Sequence, residues 1–248
     1  MELADKRHRD QMLPADSLLL SKAFVTMPGV SNVTAKSNGR TTVNVIERLL
    51  HRSTIPYVYL ATTTAPGMPS RGWTHRNLAL QYIRENYSPQ TDAVLYFADD
   101  DNSYDVRLFD KYIRKVKRLG IWPVGLVGGA WVEAPKVGSN GKVVSWDVMY
   151  APHREFATDM AGFAIHIKEL FRVKNATFNK KCAKSAGFGP ESCFLTQFGF
   201  KKQDAEPFGH NDTPKDILPS EKGIKRMGMA GRRMKPGTNT APSPAAET

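Results

Sequence analysis
The sequence predicts an α/β domain with a mostly parallel sheet and flanking helices. Three observations carry this reading: short apolar runs alternate with helical periodicity through residues 56–127, the composition is globular, and an acidic triplet directly follows one of the apolar runs. The 248 residues are 41% hydrophobic and 24% charged, which excludes a mainly disordered chain and leaves room for one sizeable domain or two small lobes. Two cysteines exclude a disulfide scaffold or a cysteine-rich zinc module.

The elements follow in order. A short helix fits Val43–Leu50, and Pro56–Ala61 (PYVYLA) reads as a strand of β-forming residues. Ala65–Gly72, with two Pro and two Gly, is a loop. Thr74–Glu85 reads as a helix with Leu78 and Tyr82 on neighbouring turns. Ala93–Ala98 (AVLYFA) fits a buried parallel strand. Asp105–Leu119 gives the clearest helical pattern, with Val106, Phe109, Ile113, Val116 and Leu119 on one stripe and Gly120 as its stop. Ile121–Val127 and Val143–Val148 are further strand candidates, and Met160–Phe171 starts strand-like and ends helical. Residues 1–44 are polar and without sustained period, and 219–248 read as a basic, disordered tail.

The net charge of +11 prompts the question of a polyanionic partner, but it is spread as +2, +6 and +3 over residues 1–50, 51–200 and 201–248. It fits a solvated basic surface or a site for phosphate-bearing ligands. No aromatic–basic stacking motif or zinc spacing supports a nucleic-acid-binding protein. No apolar stretch approaches the ~20 residues that span a bilayer, and the start lacks a signal core, so the chain reads as soluble. Four glycosylation sequons, at Asn32, Asn86, Asn175 and Asn211, point instead toward a lumenal origin.

Four clusters carry chemistry. Asp99-Asp100-Asp101 ends the strand AVLYFA, where α/β sheets bind ligands. Adjacent carboxylates repel, so the triplet suits a divalent cation that also grips a diphosphate, the alternative being an acidic helix start. Arg71 and Arg76 flank a loop-to-helix junction, suited to phosphate or simply to the surface. Pro152–Phe156 and Asp159–Phe163 place charges against an apolar, glycine-containing wall. Glu191 opens an apolar stretch and is either a general base of raised pKa or a helix-capping residue. Cys182 and Cys193 are a disulfide or two buried thiols, and His153 and His210 belong to no ligand-spaced cluster.

The collinear segments YFADDDNSYDVRLFD, WPVGLVGGAWVEAPKV, GKVVSWDVMYAPHREFATDMAGFAIHI and PESCFL resemble the inverting β-1,3-glucuronosyltransferases over about residues 45–218. These are GT-A-type enzymes. The resemblance implies transfer of glucuronic acid from UDP-glucuronic acid to the 3-hydroxyl of a terminal galactose on a glycan acceptor, as in the proteoglycan linkage region. It implies that Asp101 reaches Mn²⁺, that Asp99 and Asp100 hold ribose and sugar, and that Arg71 and Arg76 contact UDP. Glu133, Arg154 and Asp159 would line the sugar and acceptor site, and Glu191 would be the catalytic base, in a segment that reads PES where the family has QES. The donor half would span about 45–130 and the acceptor half about 131–218. A Golgi membrane location on the lumenal side and a homodimer come with the family.

Both ends depart from the family pattern. No PTY-type strand or strand ending in an acidic dipeptide, the uracil-binding pair, precedes residue 45. After Asp216-Ile217-Leu218 no WHTR motif follows, and no membrane anchor is visible. The expectation is the centre of a larger protein whose ends are altered by splicing, a gene-model error or a frameshift. The alternative is a catalytically weak or inactive member lacking uracil and diphosphate contacts.

Overall fold
The computed structural model describes residues 24–26, 32–37, 44–69, 72–99, 102–125, 131–185, 189–210 and 217–221. The strand β4 (Val94–Tyr96) shows how the sequence builds the layers. Successive side chains on a strand point to opposite faces. Leu95 and Phe97 therefore enter one core with Leu80, Ile83, Phe163, Phe178 and Phe194. Val94, Tyr96 and Ala98 enter a second core with Leu108, Phe109, Ile113, Val116 and Trp122. A strand buried on both faces is apolar throughout, which is why AVLYFA carries no alternation.

One sheet runs β1 (Phe24–Thr26), β4, β10 (Phe163–His166), β6 (Leu119–Ile121) and β11 (Glu206–Pro207). A second runs β5 (Asn102–Tyr104), β12 (Pro219–Glu221), β7 (Val124–Gly125), β8 (Val132–Val137) and β9 (Val143–Asp147). A separate pair joins β2 (Asn32–Ser37) to β3 (Tyr57–Thr62) in parallel. The α/β class is as expected, but the expected strand polarity is not. β4 is antiparallel to both β1 and β10, and β10 is antiparallel to β6. Besides β2–β3, the described parallel pairs are β11–β6 and β12–β7. An apolar run reports burial on two faces and is blind to the neighbour's direction.

The helix α1 (Asn44–Arg52) falls where expected, and α2 (Trp73–Asn86) starts after Gly72, whose φ of 75° needs a residue without a Cβ. The buried stripe of α2 is Ala79, Leu80 and Ile83 rather than Leu78 and Tyr82, which are half-buried. Each fully buried Leu or Ile contributes roughly 1.5–3 kcal/mol.

The long helix expected over 105–119 is instead α3 (Arg107–Lys111) and a 3-10 turn, Ile113–Lys115. Tyr112, at φ −122° and ψ −65°, breaks it, Val106 is exposed, and Leu119 and Gly120 belong to β6. The strand expected over 121–127 is split between β6 and β7, with Trp122 and Pro123 between them. Met160–Phe171 resolves into a 3-10 turn at Met160–Gly162, β10, and the helix α4 (Lys168–Arg172).

Regular strands extend past both expected boundaries of the catalytic segment. β1 and β2 lie within 1–44, and β12 lies within the tail read as disordered, pairing β5 and β7. Residues 222–248 lie outside the described residues. The helices α5 (Lys180–Ser185) and α6 (Gly189–Thr196) are joined by a Cys182–Cys193 disulfide, and a 3-10 turn follows at Lys202–Asp204. No helix among the described residues is long and apolar enough to cross a membrane.

Gly162 is required by close approach. A Cβ there would lie 2.5 Å from Thr158 Oγ1 and 2.9 Å from Val124 Cγ2. Gly162→Ala is expected to cost about 1–3 kcal/mol by overpacking. A thermal melt should show a Tm lower by roughly 3–10 °C.

Candidate active site
The site is assembled from segments that leave the cores. β4 runs into Asp99, whose carboxylate is ion-paired with Arg76 on the first turns of α2. The Arg76 side chain is 5% exposed and that of Asp99 28%, so the pair is largely shielded from water. His75, next to Arg76, donates from a ring nitrogen to the Thr62 carbonyl at 3.1 Å and ties α2 to β3. The Tyr104 hydroxyl donates to the Asp99 carbonyl at 3.1 Å. Burial, then the charge of Asp99, raises the Tyr104 hydroxyl far above its usual range.

Asp159 caps the 3-10 turn Met160–Gly162, accepting from the Ala161 N–H at 2.8 Å. The Ala161 carbonyl in turn accepts from the Trp122 indole at 2.8 Å and the Tyr96 hydroxyl at 3.0 Å. These two buried donors fix the DMAG segment against the β4 layer. Glu133 on β8 is buried and accepts from the Met149 N–H at 3.3 Å. It shares a small cleft with Asp159, bordered by Trp122, Trp146 and Thr158.

Arg154 is buried and held by its own turn. Its Nε donates to the Ala151 carbonyl at 3.2 Å, a terminal nitrogen donates to the Tyr150 carbonyl at 3.1 Å, and the guanidinium lies 4.9 Å from the Tyr150 ring centroid. Ala151 sits at φ 44°, a left-handed conformation that costs a non-glycine residue roughly 1–2 kcal/mol. Strain of this kind concentrates at functional sites.

Glu191 lies in the first turn of α6. A Cβ added at Gly189 would fall 2.9 Å from Arg154 Nη1 and 3.2 Å from Glu191 Oε2, so the guanidinium and the carboxylate flank the same glycine. Ser192 accepts from the Phe156 N–H at 3.2 Å and joins α6 to the Arg154 segment. Burial, reinforced by the charge of Asp159, pushes the Glu191 carboxyl up to about 7, against the opposing pull of Arg154 and Arg76. A carboxyl poised near neutrality is suited to accept a proton.

The structure thus gathers Arg76, Asp99, Arg154, Asp159 and Glu191, with Glu133 reached through the cleft beside Asp159. Arg71, Asp100 and Asp101 lie outside the described residues. Among the described residues no three His, Cys, Asp or Glu side chains gather as a metal cluster. Tyr104, Tyr150 and Ser192 were not singled out from sequence. Their contacts depend on loop conformation, and nothing in local periodicity marks them.

A mixed α/β domain of sheets with flanking helices, with a shielded Arg–Asp pair where β4 ends, is consistent with the GT-A-like class of glycosyltransferase architecture. Residues 33–218 match the model of glycosyltransferase family 43, and the chain belongs to that family. It is 38% identical over 179 residues to human galactosylgalactosylxylosylprotein 3-beta-glucuronosyltransferase 1, covering 67% of this chain and 52% of that protein. It is 34% identical over 203 residues to the Caenorhabditis elegans galactosylgalactosylxylosylprotein 3-beta-glucuronosyltransferase sqv-8, covering 78% and 56%. Human galactosylgalactosylxylosylprotein 3-beta-glucuronosyltransferase 2 is 36% identical over 176 residues, covering 68% and 53%. The chain spans about half the length of the curated relatives it matches.

Proposed function
We propose that this chain carries the catalytic centre of an inverting glucuronosyltransferase. It moves glucuronic acid from UDP-glucuronic acid to the 3-hydroxyl of a terminal galactose. The observation that carries the reading is Glu191, whose carboxylate flanks Gly189 together with the Arg154 guanidinium in a chain of glycosyltransferase family 43; its raised carboxyl is in keeping with a base.

Glu191 takes the proton of the galactose 3-hydroxyl. The oxygen attacks the anomeric carbon of glucuronic acid from the face opposite UDP, the bond to the diphosphate breaks, and the configuration inverts. Arg76 and Arg71 attract the diphosphate, whose charge grows as it leaves. Asp99 and Asp100 hold ribose and the transferred sugar. Glu133, Arg154 and Asp159 orient sugar and acceptor. By the family resemblance Asp101 is the carboxylate that would hold Mn²⁺, a hard-oxygen donor that suits the ion together with phosphate oxygens. When bound, Mn²⁺ supplies Lewis-acid neutralisation of the departing diphosphate. The disulfide between Cys182 and Cys193 supports a lumenal, oxidising location such as the Golgi. Anchoring in its membrane rests on the family resemblance alone. A homodimer belongs to the same reading.

Thermal-shift titration tests this directly. UDP is expected to raise the Tm with Mn²⁺ present and not after chelation, and Asp101→Asn should abolish the shift. No metal-dependent shift in the parent chain would replace this reading with that of a catalytically weak family member.

A further inference from the structure
Three buried phenylalanines, one from each of three segments that carry or hold a site residue, pack on one another. Phe97 lies two residues before Asp99, Phe194 three residues after Glu191, and Phe178 beneath the Arg76 guanidinium, which stands 5.6 Å from its ring centroid. Phe178 and Phe194 stack with centroids 4.6 Å apart and planes 8° from parallel. Phe97 meets both edge-on, at 5.3 Å and 5.6 Å. Such pairs add to area burial and favour definite geometries.

Phe178 is also fixed through its backbone. The Asn77 amide donates to the Phe178 carbonyl at 2.9 Å and accepts from the Phe178 N–H at 2.8 Å. Asn77 adjoins Arg76, so the donor-side arginine and the phenylalanine under it share one attachment. On the other side, Asn179 accepts from the Cys182 N–H at 2.9 Å, and Cys182 is bonded to Cys193, which directly precedes Phe194. The path from Asn77 through Phe178, Cys182, Cys193 and Phe194 returns to Phe178. Glu191 stands two residues from its crosslinked corner.

The need for such a frame is physical. Helix α6 has eight residues, too few to be stable alone, and the N–H groups of its first turn have no intrahelical partners. A first turn of this kind frays unless something outside holds it. We infer that the Cys182–Cys193 crosslink, with the Asn77 clamp on Phe178, is the positioning element that holds Glu191 at a fixed place relative to Arg76. The inference rests on Glu191 being the base of the proposed reaction. Neither cysteine is assigned contact with the reacting atoms; both act through α6.

The test compares the full chain with its C182S/C193A and Asn77→Ala variants, and with the parent after reduction. Misplacing a reacting group by about 1 Å costs on the order of 10²-fold, so kcat is expected to fall about 10- to 100-fold. In C182S/C193A, UDP affinity measured by calorimetry should stay within about twofold, since a purely positional loss leaves donor binding in place. In the same C182S/C193A variant, amide exchange should speed up across 191–194 while α2 stays protected. Unchanged kcat in an active parent overturns the inference. So does exchange that rises in α2 and α6 alike, which makes the crosslink a global staple. A parent with no transfer at all would instead sink the proposed function. In that case selective loss of α6 protection still upholds the positioning role, and unchanged protection overturns it.

Discussion

Glu191→Gln should abolish most glucuronyl transfer and leave UDP binding intact. General-base assistance is worth about 10²–10⁴-fold, so kcat should drop by that factor. Calorimetry should return the parent's UDP affinity, because Gln keeps the shape of the side chain. In the parent, kcat should fall as pH drops below about 7, where the carboxyl takes up a proton. Asp159→Asn removes a charge that raises the Glu191 carboxyl, so the acid limb should move down in pH; Arg154→Gln removes an opposing charge and should move it up. A limb that ignores both changes would deny Glu191 the role of base. Stability should move the other way from activity. A carboxyl raised from 4.5 to about 7 on folding favours the fold below its unfolded pKa, and that contribution is lost as pH rises through 7. The Gln variant cannot ionise. Its Tm should therefore gain on the parent at pH 8 relative to pH 5.

What the sequence disclosed follows from which forces act locally. Helix α2 and the strands β3, β4 and β9 are announced by runs whose burial is set by the chain's own pattern. The site residues Arg76, Asp99, Arg154, Asp159 and Glu191 stand out as charges beside apolar segments, and the structure gathers them. Strand direction was hidden, because β4 is equally apolar beside an antiparallel neighbour. The helix over 105–119 failed because Val106 and Leu119 fit its stripe while Leu119 serves β6 in another layer. The Asn77–Phe178 clamp spans 101 residues, and a pairing at such range leaves no local trace. The Cys182–Cys193 pair, 11 residues apart, was visible as two cysteines, and the structure selects the disulfide over two thiols. The strands β1 and β2 are similarly defined by their partners, β4 and β3, more than by their own residues.

Arg76→Met should be the costliest single change in the donor half, for two separable reasons. It removes the guanidinium from Asp99, whose side chain is only 28% exposed, and leaves a carboxylate with poor access to water. Breaking a fully buried pair costs about 3–5 kcal/mol, and partial exposure of Asp99 reduces this to roughly 2–3 kcal/mol. The Tm should fall by roughly 5–10 °C. The change also withdraws a cation from the diphosphate. A charge-assisted hydrogen bond is worth roughly 1.5–3 kcal/mol, so UDP should bind roughly 10- to 100-fold more weakly. Adding Asp99→Asn separates the two effects. With no stranded charge, the double variant should recover most of the lost Tm. Its UDP affinity should not recover, since the cation is still missing. A double variant that binds UDP as the parent does would assign Arg76 to the fold alone, with Asp99 as its partner and the diphosphate held elsewhere.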